Sequence, residues 1–190
     1  KSNLIDEIHK DKIVKRKPFY SLNSKSVGES HKSKINKVCN ILKFKKADHL
    51  FISSPENVAW LMNVRGYDNP TSPIPNARLL ISKNKKLFLI VDEKIASKLI
   101  KEKKFQRNQI INPTRFEELI KKLRGNKFII DASSCSILNE KIIKSNFNVI
   151  DDVDPCFKLK SVKNSVEIKN TINAHIEDGL ALTRFIYWIK

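Results

Sequence analysis

The chain has 190 residues, 41% of them hydrophobic, and carries a formal net charge of +17, enough material for one packed domain and part of a second. The charge comes mostly from lysines scattered over helix faces and turns, without an RNA-binding aromatic signature, zinc finger or basic zipper, so a specific nucleic-acid function is not expected. No apolar stretch approaches the roughly 20 residues of a membrane span, and only four glycines are present, with no G-x-G-x-x-G or P-loop among them.

Lys1 to Ser26 is charged and irregular, with a basic run from Lys10 to Lys17 ahead of Pro18, and reads as a solvated linker. Gly28 to Lys46 places Ile35, Val38, Cys39 and Leu42 at helical spacing. His49 to Ser53 is a short apolar strand. Ser54 before Pro55 suits an N-cap followed by proline at the first helical position, and Val58 to Met62 continues as a short apolar helix. Arg65 to Pro70 is a polar loop, punctuated onward by Pro73 and Pro75, and loops held between apolar elements are where ligand contacts tend to sit. Arg78 to Ile81 and Leu87 to Val91 flank a polar turn and predict a hairpin.

Glu93 to Lys101 predicts a helix with Ile95, Ala96, Leu99 and Ile100 on one side, followed by a strand over Gln109 to Ile111. Thr114 to Leu123 reads as a helix capped by Thr114, with Glu117 in a capping box and Gly125 as its stop. Lys127 to Asp131 and Asn148 to Asp151 are strands around a helix, Ser134 to Lys144, expected to turn Ile137, Leu138, Ile142 and Ile143 inward. Alternating helices and strands with one hairpin imply an α/β fold with a mixed sheet.

Asp151-Asp152-Val153-Asp154-Pro155 reads as a hinge whose carboxylates cap and link rather than bind metal. Asp154 suits an N-cap for a short helix from Cys156 to Val162. Asn164 and Glu167 have capping-box spacing at the head of a long, apolar-rich helix running to Lys190. A helix this apolar must bury against something sizeable. Cys39, Cys135 and Cys156 are widely spaced and read as small core residues of a reducing compartment. The first residues mix charges without an apolar run, so the cytoplasm is the expected location.

On spacing alone, His175 borders the buried stripe of the last helix, and Arg65 and Asp68 form an ion pair or bind backbone. His9, His31 and His49 have no partners at ligand spacing.

Two stretches carry a resemblance. NVAWLMNVRGYDNPTSPIPNARLLI, Asn57 to Ile81, resembles the IAWLxNxRGxDxPxxPxxxxYAII segment of the three-domain Xaa-Pro aminopeptidases. Lys160 to Glu167 followed by Asn173 to Gly179 resembles the same family's KAxKNxxEIxGxRxAHIxDGxAL. The resemblance implies a linker over 1–26, the second of two creatinase-like N-terminal domains over 27–153, and the first helices of a truncated pita-bread metallopeptidase domain over 154–190. It implies a cytoplasmic, dimeric hydrolase that removes the N-terminal residue from peptides with proline in second position. Two divalent ions, usually manganese, would act in the complete enzyme, with all their ligands beyond residue 190, so that this chain alone would bind no metal and be inactive. His175 stands where the family has a substrate-contacting histidine, while Arg65 and Asp68 belong to a structural loop. The alternatives are a non-catalytic interaction module or remnant of a shortened gene, and a creatinase- or prolidase-like hydrolase.

Overall fold

A computed structural model of the chain describes residues 17–190, and the structural statements below concern those residues. In chain order the elements are β1 (Tyr20–Ser21), α1 (Ser24–Val27), α2 (His31–Phe44), β2 (His49–Ile52), α3 (Pro55–Met62), β3 (Val64–Arg65), β4 (Arg78–Ser82), β5 (Leu87–Ile90), α4 (Glu93–Lys101), β6 (Ile110–Ile111), α5 (Phe116–Lys122), β7 (Lys127–Ile130), α6 (Ile137–Lys144), β8 (Asn148–Asp151), α7 (Pro155–Ser161) and α8 (Ser165–Ile189). Six strands form a mixed sheet in the order β6-β5-β4-β2-β7-β8. β4 runs antiparallel to β2 and β5, which makes the predicted hairpin, while β2–β7, β7–β8 and β5–β6 are parallel.

Strand side chains alternate between the two faces, and both faces are covered. Leu50, Ile52, Leu79, Ile81 and Leu89 pack with Val38 and Leu42 of α2, Leu61 of α3 and Leu99 of α4. Phe51, Leu80, Phe88, Phe128 and Ile130 pack on the other face with Phe116 and Ile120 of α5 and Ile143 of α6. Each such buried side chain contributes about 1.5–3 kcal/mol by leaving water. The fold is therefore three-layered and mixed α/β, as the pattern implies.

Several local expectations need correction. The linker reading fails from Phe19 onward: Phe19 is fully buried, and Tyr20 pairs with Arg65 in the two-stranded ladder of β1 and β3. The part of that reading over residues 1–16 lies outside the described residues. The helix expected from Thr114 begins as a 3-10 turn at Pro113, and Asn112 is the residue whose side chain accepts from the Thr114 amide. α6 starts at Ile137 behind the Ser136 cap, because Asp131 first folds the chain into a turn through the Ser133 amide. Ile137 and Leu138 lie in that first turn beyond the sheet edge and stay exposed at 70% and 69%, so of the four residues expected inward only Ile143 is fully buried.

The C-terminal caps form as expected. Asp154 accepts from the Cys156 amide at 2.9 Å, and Asn164 and Glu167 cap each other's backbone reciprocally. α8 then runs for 25 residues, about 37 Å at 1.5 Å per residue, without one buried residue. Its attachment is at its head: Asn164 Nδ2 donates to the Val27 carbonyl at 2.9 Å, and Asn170 Nδ2 to Ser26 at 3.2 Å. Gly28 closes α1 in a left-handed conformation, φ 67°, and a side chain there would collide with Asn164.

Candidate functional site

The two resembling stretches meet at a buried polar junction below the hinge. Asn57 sits in the first turn of α3 and is wholly buried. Its Nδ2 donates to Asp154 Oδ2 at 2.6 Å, and its Oδ1 accepts from Lys160 Nζ at 2.7 Å. Asp131, at the end of β7, accepts from the Asp154 amide at 3.0 Å. Burial pushes the Asp154 carboxyl up, against the Cys156 amide and Asn57 that lower it. Burial also raises Asp131, but the Asp154 and Ser133 amides and the Ser133 hydroxyl outweigh it and hold that carboxyl below its usual range. The hinge is thereby locked to α3 and to the sheet.

A second constellation closes the other end of α3. Asn63 takes a left-handed conformation, φ 51°, at the helix C-cap. Lys34 is 1% exposed, lies 4.2 Å from the Trp60 ring centroid, and donates to the Trp60 carbonyl at 3.0 Å and to Asn63 Oδ1 at 2.8 Å. Lys104 donates to the Met62 carbonyl at 2.9 Å. Cations at these carbonyls answer the negative end of the helix dipole. Burial drives both ammonium groups down, Lys104 to about 8.

Arg65 and Asp68 are not paired. Arg65 Nη1 donates to the Val64 carbonyl at 2.8 Å and the Ala59 carbonyl at 3.3 Å, while Asp68 accepts from the Asn76 amide at 2.7 Å. Each fixes the loop by binding backbone. His175 lies on the exposed length of α8, and no hydrogen bond links it to Arg65 or Asp68 among the described residues. His49 is a core histidine, its Nε2 donating to the Arg124 carbonyl at 2.9 Å while Nδ1 meets the Ser82 hydroxyl at 2.8 Å.

The hinge carboxylates are occupied by protein partners: Asp151 accepts from the Ala132 amide, Asp152 pairs with Lys45, and Asp154 caps α7. No group of three or more His, Cys, Asp or Glu is placed so that it could hold a metal ion among the described residues.

Sequence reasoning missed Lys34 and Lys104, and took Asn63 only as part of the resembling loop. A signal existed for Lys34, which stands one turn before Val38 on the apolar stripe of α2. Lys104 carried none.

Residues 11–167 match the family described as the creatinase/prolidase N-terminal domain. The chain belongs to that family. Among curated relatives it is 30% identical to Xaa-Pro aminopeptidase 1 of Dictyostelium discoideum, over 99% of this chain and 31% of that protein. It is also 30% identical to the Xaa-Pro aminopeptidase ApepP of Drosophila melanogaster, over 99% of this chain and 32% of that protein. The chain thus spans about a third of the length of these relatives. Among solved structures, the X-prolyl aminopeptidase of Caenorhabditis elegans, described as a cytosolic enzyme with a di-nuclear active site, superposes with a TM-score of 0.84 at 21% identity, covering 99% of this chain and 32% of that one. At that identity the likeness carries the fold. The resemblance to the Xaa-Pro aminopeptidases and the creatinase-like fold are both borne out.

Proposed function

We propose that this chain serves as the second creatinase-like N-terminal domain of a metal-dependent Xaa-Pro aminopeptidase, joined through Asp151–Pro155 to the first helices of a pita-bread catalytic domain. The observation that carries the reading is the relatives' cover of 99% of the chain, running through the hinge and along α8, in proteins about three times as long. The apolar face of α8 supports it. Ile168, Ile172, Ile176, Leu180, Phe185 and Trp188 are between 49% and 78% exposed, a surface suited to the remaining catalytic domain.

In this reading the Asn57–Asp154–Lys160 junction sets the angle at which α8 enters the catalytic domain. His175 would face the substrate there and donate a hydrogen bond to the oxygen that gains charge as the scissile carbonyl is attacked. Two divalent ions, manganese by the resemblance, would supply the activated water from residues this chain does not span. Substrates are peptides with proline in second position. The domain would gate access by peptide length and contribute to a homodimer in the cytosol.

The test is His175→Ala in the enzyme that carries this segment. The expected result is a drop in kcat of about a hundredfold or more, the scale of a lost charge-stabilising donor, with an unchanged unfolding midpoint. An unchanged kcat rejects the substrate contact. Comparing an Xaa-Pro-Yaa tripeptide with an Xaa-Pro dipeptide separates this reading from a prolidase-like one.

A further inference from the structure

One end of the sheet, where the β4–β5 turn meets the chain leaving α2, gathers charge that the sequence scatters. Lys43 lies in the last turn of α2 and Lys46 two residues beyond it, Lys83 and Lys85 stand in the β4–β5 turn, and the four surround one open depression of about 560 Å³. Lys83 is paired with Asp48 at 2.8 Å. Lys43, Lys46 and Lys85 are exposed and meet no carboxylate among the described residues. Lys46 and Lys85 hold left-handed backbone, φ 51° and 67°, where glycine or asparagine is the easier residue. Beside them Phe44 projects into solvent, 86% exposed, the most exposed of the chain's large apolar side chains among the described residues.

We propose that this end of the domain docks reversibly on an anionic lipid surface, with Phe44 entering the headgroup layer and Lys43, Lys46, Lys83 and Lys85 lying over the lipid phosphates. The chemistry favours lipid over nucleic acid. The charges are lysines, which act as point charges, with no arginine fork for bidentate contacts and no row of aromatics for base stacking. Phe44, next in sequence to Lys43, adds one exposed apolar side chain to the basic cluster, and apolar burial plus attraction to anionic lipid are the two contributions to interfacial binding. The proposal is independent of the aminopeptidase reading.

The experiment is cosedimentation of the full 190-residue chain with phosphatidylcholine vesicles, with and without phosphatidylserine. Neutral vesicles control for the apolar face of α8. The expected result is binding that requires phosphatidylserine and weakens with salt. Lys46→Asn with Lys85→Asn should lower the partition coefficient about twenty-five-fold, about fivefold per lysine. Because asparagine accepts left-handed backbone, the unfolding midpoint should hold or rise. Phe44→Ser should weaken binding as well. Lys94→Gln with Lys101→Gln removes the same charge from α4, which packs against β1 and β6 and lends no residue to the depression, and should change little. Equal binding to neutral vesicles, an equal loss in the α4 control, or RNA binding that the double variant abolishes while vesicles are ignored would each overturn the proposal. Binding of free inositol hexakisphosphate by the chain, lost in the double variant, without any vesicle binding would assign the lysine cluster to a soluble phosphate and overturn it too.

Discussion

Replacing Asn57 by alanine should destabilise the domain in a pH-dependent way. The side chain makes one buried bond to the Asp154 carboxylate, 2.6 Å, and one to Lys160, 2.7 Å. A buried hydrogen bond to a charged group contributes about 1.5–3 kcal/mol. Lys160 is only partly buried and can turn to solvent, so its share is smaller, about 1 kcal/mol or less. The expected loss at neutral pH is therefore about 3 kcal/mol. The sign of the pH effect follows from Asp154. Burial already raises its folded pKa above the unfolded value, so its contribution to stability is fullest at low pH and falls as pH rises through the folded pKa. Asn57 is among the groups that lower that pKa. Its removal raises the pKa further, so the variant loses more as the carboxyl ionises and less when it is protonated. Urea denaturation of both proteins near pH 4 and at neutral pH checks this. A loss under about 1 kcal/mol at neutral pH, or an equal loss at both, would refute the reasoning.

Three further outcomes follow from other residues. Lys104 titrates near 8 when folded, below its unfolded value, so stability should rise with pH from about 8 towards the unfolded lysine pKa; thermal melts of Lys104→Met should lack that rise. Gly28→Ala should cost about 1 kcal/mol or more, because alanine is strained at φ 67° and meets Asn164, and chemical denaturation measures it. Ile137→Ser with Leu138→Ser should change the unfolding free energy by less than about 0.5 kcal/mol, because both residues are exposed; a larger loss would mean that they bury against something.

What was legible in the sequence followed from periodicity and caps. β2 and β4 are buried on both faces, so they appear as unbroken apolar runs, and the polar Ser82–Lys86 turn between β4 and β5 marks the hairpin. Pro55, Asp154, Asn164 and Glu167 are local chemistry, and each stands where spacing placed it. The β1–β3 ladder was invisible because two-residue strands have no period to detect. Ile137 and Leu138 misled because periodicity reports a face but not whether the turn reaches the sheet. At the candidate site, both resembling stretches were found, but not that Asn57 of one bonds Lys160 of the other and Asp154 of the hinge. That contact spans about a hundred residues and no local pattern encodes it. Arg65 and Asp68 looked complementary by charge, yet nearby carbonyls and an amide claim each of them first.

The most direct test of the aminopeptidase reading is to purify the native polypeptide containing this segment, weigh it intact, and assay it on an Xaa-Pro-Yaa tripeptide. The expected result is a chain about three times as long as this one, in line with relatives of which it covers 31–32%, that releases the N-terminal residue and loses activity when divalent metal is removed. A native polypeptide of 190 residues that leaves the tripeptide intact would contradict it.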